Sequence, residues 1–174
     1  MCVSVRGRGC TQWANDPNYK VNGFEASKWS EWADLLTFDH IMDNYDRSRD
    51  YALWKNVHWE KKGDTARVVY IDQNSCLAQR RFSPTDKNKF YGLCRFRRSM
   101  VTRLRQLKGR LGQLTYRSVR NCDPYPEHVS LLSGMTKEEA MYVYDDLDSR
   151  LETALGIVDQ CIEKHGEDLV LSLP

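Results

Sequence analysis

The sequence predicts an α+β domain: an N-terminal helix, a small antiparallel three-stranded meander, and a long antiparallel helical hairpin that pairs a basic helix with an acidic one. Three observations carry that reading. Apolar residues recur at steps of three and four over 25–46, 84–121 and 137–165, the period of helices with one buried face. Between the first two runs the period drops toward two, in short segments rich in Val, Ile, Tyr and Trp. Charge is also segregated, with thirteen basic residues and one acid between Arg80 and Arg120, against thirteen basic and 23 acidic residues elsewhere.

Residues 1–24 are rich in Gly, Asn and Asp and read as an extended segment ahead of a single domain over 25–174. The first helix, 25–46, takes Ser27 as its N-cap and lines up Trp29, Trp32, Leu35, Leu36, Ile41, Met42 and Tyr45 on one side. Trp29 and Trp32 lie one turn apart, as a core anchor or as a platform on which bases stack. On a helix, this Trp-x-x-Trp unit resembles the end-capping tryptophans of tombusvirus silencing suppressors over those four residues.

Three strands follow, over 56–61, 66–72 and 76–82. Lys62-Gly63-Asp64-Thr65 supplies the first turn. Ser83-Pro84 then opens the basic helix. From Lys87 to Arg120 the chain carries eleven Lys and Arg and no Asp or Glu. Phe90, Leu93, Met100, Leu104, Leu107, Leu111 and Leu114 make its apolar stripe, with Arg97 in the one missing slot, and Gly109 and Gly112 threaten a kink near 109–113. After a Pro-containing connector, Thr136 and Glu139 form a capping box for the acidic helix, which ends at His165-Gly166. The hairpin thus covers 84–165. The last residues read as a short extended segment or a docking tail.

In a heptad frame Arg103, Arg110 and Arg117 flank the seam, while Arg95, Arg98 and Arg105 point outward. Of the facing acids only Asp148 lies at an inner flanking position. A basic strip therefore survives packing, and with Trp29 and Trp32 it predicts a non-enzymatic nucleic-acid-binding protein, RNA included, that grips phosphates through Arg95, Arg98, Arg103, Arg105, Arg110 and Arg117. The alternative partner is an acidic protein surface, as for an assembly or host-interaction protein, and the unfamiliar loop-rich sequence would suit a viral one. The hairpin could also join copies into a homo-oligomer.

The sequence has no P-loop, GxGxxG, HExxH or GxSxG. The enzyme reading rests on Asp39, His40 and Asp43 on the first helix with His58 and Glu60 on the first strand, arranged as a metal-dependent phosphoesterase or nuclease. No cofactor is implied, no Cys–His spacing suits zinc, and no second cluster at fixed spacing supports a metal at Asp39, His40 and Asp43. The six cysteines contain no CxxC pair, and neither a signal peptide nor an 18-residue apolar run is visible. Reduced thiols and a cytoplasmic location are expected.

Overall fold

A computed structural model of the chain describes residues 23–44, 57–63, 65–70, 93–122 and 137–174. In chain order these form α1 (Gly23–Met42), β1 (Val57–Lys62), β2 (Thr65–Tyr70), α2 (Arg98–Leu107), α3 (Leu111–Cys122), α4 (Lys137–His165) and α5 (Glu167–Val170). The α+β class holds, with helix dominant. The third strand expected over 76–82 and the segment 1–22 lie outside the described residues.

α4 is the axle. Its Tyr144, Leu147, Leu151, Ala154, Leu155, Val158 and Cys161 recur near the helical period and are all buried. Against them pack Ala33 and Ile41 of α1, Leu93 and Phe96 ahead of α2, Val101 of α2, and Val170, Leu171 and Leu173 of the tail. Each fully buried Leu or Val contributes roughly 1.5–3 kcal/mol. Trp29 and Trp32 are half-buried against this core, as anchors of α1.

α1 also covers the hairpin. β1 and β2 pair antiparallel with Lys62 opposite Thr65, and Gly63 takes the φ of 60° that the two-residue turn needs. Ala66 and Val68 face α1 and are buried with Leu35, whereas Val69 is exposed. Ser27, expected as the N-cap, instead sits inside α1, where its hydroxyl accepts the Ala66 N–H at 2.9 Å. The carboxylate of Glu31 accepts the Val68 N–H at 3.2 Å. Two backbone donors that β1 does not use are thus satisfied by one face of α1.

The basic helix expected to begin at Ser83-Pro84 is corrected at its start, and it is broken near Gly109, where the glycines threatened a kink. Residues 93–97 are extended rather than helical: Phe96 donates its N–H to Val170 O at 2.8 Å, and Arg97 forms a parallel bridge with Leu173. The tail therefore docks on its own chain. α2 starts at Arg98 and stops at Leu107, and Gly109 turns the chain with a φ of 68° before α3 begins. The free N–H groups at the start of α3 are taken by α4, since the Asp148 carboxylate accepts Leu111 N–H at 2.8 Å and Gly112 N–H at 3.1 Å. α3 and α4 come so close that a Cβ on Gly112 would lie 2.2 Å from Tyr144 O. One turn further, Tyr116 meets Tyr144 edge to face at 5.8 Å between ring centroids.

Cys94 and Cys161 are joined by a disulfide, with Cα atoms 5.4 Å apart, which corrects the expectation of reduced thiols. Sequence spacing misses the pair because 67 residues separate its members. It ties the extended segment before α2 to the C-terminal part of α4.

Three substitutions test the close approach of α3 to α4 and the disulfide. Gly112→Ala should destabilise the protein by about 1–3 kcal/mol, because backbone rather than a flexible side chain must give way. Gly156→Ala, whose Cβ meets nothing within 4 Å, should be neutral or stabilising by up to about 1 kcal/mol. Paired thermal melts decide, and equal melting temperatures for the two variants would refute the close approach. Removing the disulfide by Cys161→Ser should cost about 4 kcal/mol in urea unfolding, the chain-entropy value for a loop of this length.

Candidate functional site

The exit of α1 gathers the acidic candidates. The helix ends where Asp43 adopts a left-handed φ of 52°, a conformation that Asp tolerates better than most residues. Beyond it Asn44 is buried and donates its N–H back to Asp39 O at 2.9 Å, while Asp43 N–H reaches His40 O at 3.4 Å. Asp39 is buried as well. From α4, Arg150 reaches across and donates Nε–H to Ile41 O at 2.6 Å. Its guanidinium also pairs with Asp146 and lies 3.9 Å from the Asp43 carboxylate. Asp39, His40, Asp43 and Asn44 thus share a small region whose backbone is held from outside α1.

His58 and Glu60 are exposed on β1, opposite Val69 and Arg67. Among the described residues, no three His, Cys, Asp or Glu side chains are grouped so as to hold a metal ion, so the five candidates do not form a metal centre among themselves. The hairpin is nonetheless aimed at the exit of α1. Ser27 meets Ala66 and Glu31 meets Val68, so α1 and β2 advance together, and β2 runs toward the end that carries Asp39 and Asp43.

The basic residues have a different fate from the one expected. Arg95 is 6% exposed and donates to Ser172 Oγ at 3.2 Å, so it is not an outward phosphate ligand. Arg98 pairs with Glu167 and Asp168 of α5, and Arg105 with Asp159 of α4 at 2.7 Å. Arg103, Arg110 and Arg117 remain exposed.

Arg97 is the hub that periodicity did not assign. Its Nε–H is shared between Ser30 Oγ at 2.8 Å and Pro174 O at 2.7 Å, and its two amino groups reach Glu31 at 3.0 Å and Asp34 at 2.8 Å. Burial pushes the Asp34 carboxyl up to about 6, against the pull of the Arg97 charge and with a further push from Glu31. Its second oxygen, Oδ1, is buried and has no hydrogen-bond partner among the described residues. One signal for this network was visible in advance, an arginine in the empty slot of an apolar stripe. Arg150 gave no such signal, because its partner Ile41 contributes a backbone carbonyl.

A family model described as "Golgi casein kinase, C-terminal, Fam20" matches residues 5–170. No curated protein matches the chain. The family match overturns the nucleic-acid-binding reading, its RNA-binding and viral variants, and the phosphoesterase alternative, since the family is one of kinases. It equally overturns nucleic acid as the partner. The Golgi in its name conflicts with a cytoplasmic location, as does the disulfide, a bond of oxidising compartments. Among the described residues no helix is long and apolar enough to cross a membrane.

The Asp34 carboxyl gives the stability a pH dependence of definite sign. In the folded chain it binds its proton up to about pH 6, but in the unfolded chain only to about pH 4. The folded state therefore holds more protons between those values, and this group's contribution is lost as pH rises through 6. In urea unfolding from pH 4 to 7, Asp34→Asn should show a shallower decline than the parent. Parallel profiles would refute the assignment.

Proposed function

The chain belongs to the Fam20 family of Golgi casein kinases, and from that premise we propose that it takes part in transferring phosphate from ATP to hydroxyl groups of proteins in the secretory pathway. The observation that carries this reading is the extent of the match, residues 5–170 of 174. The Cys94–Cys161 disulfide supports the compartment independently, because such bonds persist where thiols are not kept reduced.

Kinase chemistry asks little covalent work of the protein. It asks for position and charge: a carboxylate beside the attacking hydroxyl, and oxygen ligands for the magnesium ions that neutralise the phosphates. The exit of α1 offers groups of that kind in Asp39, Asp43 and Asn44. Magnesium needs only one or two protein carboxylates, since phosphate and water oxygens complete its shell. The lack of a three-residue cage among the described residues is therefore compatible with a nucleotide-bound ion, and Asp43, with its side chain 24% exposed, is the carboxylate better placed to meet one. When bound, magnesium would draw charge from the phosphates, while the chain's own part is to hold its carboxylates toward it. A third strand over 76–82 and a single domain over 25–174 belong to this reading.

The test is direct. The chain, made through a secretory pathway so that its disulfide forms, is incubated with γ-labelled ATP, magnesium or manganese, and casein. Label should pass to casein, and Asp43→Asn should lower the rate by about 100-fold, the scale of losing a positioned carboxylate. No transfer above the protein-free blank with either metal would overturn the proposal.

A further inference from the structure

Arg150 lies on the buried side of α4's surface, its side chain 15% exposed, one turn after Asp146. Pairing with Asp146 alone would be the ordinary i,i+4 contact of an exposed helix. That pairing does not account for the rest of its geometry. Nε points away from α4 and donates to Ile41 O at 2.6 Å, a carbonyl in the last turn of α1. Last-turn carbonyls have no partner within their own helix, and a charged donor makes the stronger kind of hydrogen bond to them.

The contact falls two residues before the place where the chain changes direction. Asp43 is left-handed, and Asn44 is buried with its N–H on Asp39 O. The Arg150 guanidinium, 3.9 Å from the Asp43 carboxylate, therefore touches both the backbone ahead of the turn and the side chain at the turn. Asp146 binds Nη1, the same nitrogen that lies nearest Asp43, so the fork is anchored at Nε by Ile41 O and at Nη1 by Asp146. A single cation thus couples the direction of the chain leaving α1 to the rigid axle of the core.

We infer that Arg150 is a positioning residue for phosphoryl transfer: by holding the Ile41 carbonyl and facing Asp43, it sets where Asp43 and Asn44 stand. The inference rests on the kinase reading above. Arg150 does not touch substrate. It acts through the backbone at 41–44, and its removal should lower turnover without weakening nucleotide binding.

Two measurements on the full chain test this. In Arg150→Ala, hydrogen exchange at the Asn44 amide should accelerate by about tenfold or more, while amides of Leu151–Val158 keep their protection. In the casein assay the same variant should lose about 10- to 100-fold in kcat with KM for ATP unchanged, the scale expected when a reacting group is displaced by about an ångström. Methylguanidinium at millimolar concentration should restore part of kcat, and Arg150→Lys should retain more activity than Arg150→Ala. Unchanged exchange at Asn44 would overturn the inference even if the protein is an active kinase. So would a loss of kcat that methylguanidinium does not relieve and that only follows a lowered melting temperature, because Arg150 would then be merely structural. If the parent chain transfers no phosphate, the kinase reading falls and the catalytic role of Arg150 falls with it. Faster exchange at Asn44 in that case would mark the failure as one of function, not of the Arg150 contact.

Discussion

One guanidinium, that of Arg97, joins more of the molecule than any other side chain described. It gathers Ser30, Glu31 and Asp34 from one face of α1 and Pro174 O from the tail, while its backbone bridges Leu173. Glu31 passes the coupling on, with one oxygen on Arg97 and the other on the Val68 N–H of β2. A planar fork of fixed donors suits this task, and a lysine ammonium could not serve four acceptors in that plane. The arrangement carries a penalty, because two carboxylates must lose water beside one cation. Asp34 shows the cost in its raised pKa and its unpartnered oxygen. The network is therefore better understood as fixing how α1, the hairpin and the tail sit together than as a net source of stability.

That constraint explains why the basic stretch is not one helix. Heptad spacing is a statement about which residues would share a face if the helix were continuous, and it is blind to a competing partner for the backbone. From Leu93 to Arg97 the competitor is the tail, which offers Val170 O to Phe96 N–H and pairs Leu173 with Arg97. At Gly109 the competitor is the close approach of α3 to α4, which needs the chain to swing so that Gly112 can lie against Tyr144. Asp148 then replaces the lost intrahelical acceptors. The glycines signalled a kink, but nothing local could say that its purpose was a helix crossing.

Much of the architecture was nonetheless legible. α1, both strands of the hairpin and α4 lie within a few residues of their expected spans, because each has a clear period and a clear stop. Asp43 shortens α1 against expectation, since a left-handed Asp is a local choice that helical periodicity over 25–46 does not reveal. The candidate site was legible only as composition. Asp39, His40 and Asp43 stood out as acidic and imidazole groups at helical spacing, while His58 and Glu60 were placed with them by arithmetic of strands and not by contact. Arg97 stood out as an arginine in an apolar stripe, but its partners, those of Arg150 and the pairing of the disulfide were not legible, because each joins segments more than 60 residues apart. Charge misled more than it informed: Arg98 and Arg105 are paired with Glu167, Asp168 and Asp159, and Arg95 is buried, so a basic run in sequence is only in part a basic surface.

The disulfide and the Arg150 contact meet on α4. Cys161 and Arg150 are eleven residues apart on it, about 16 Å at the helical rise. The disulfide fixes the end of α4 to the segment before α2, and Arg150 fixes its middle to the exit of α1. Between them lie Leu151, Ala154, Leu155 and Val158, buried and in mutual contact, so the span is rigid. A helix pinned at two points can hold a loop in place more sharply than one pinned only by apolar packing, because ridges can slide where a hydrogen bond and a covalent bond cannot. For a reaction whose catalysis is mostly position and charge, that stiffness is the contribution a fold can make. It ties the oxidising environment that forms the disulfide to the placement of the acidic groups at the exit of α1, which Arg150 meets from the middle of the same helix.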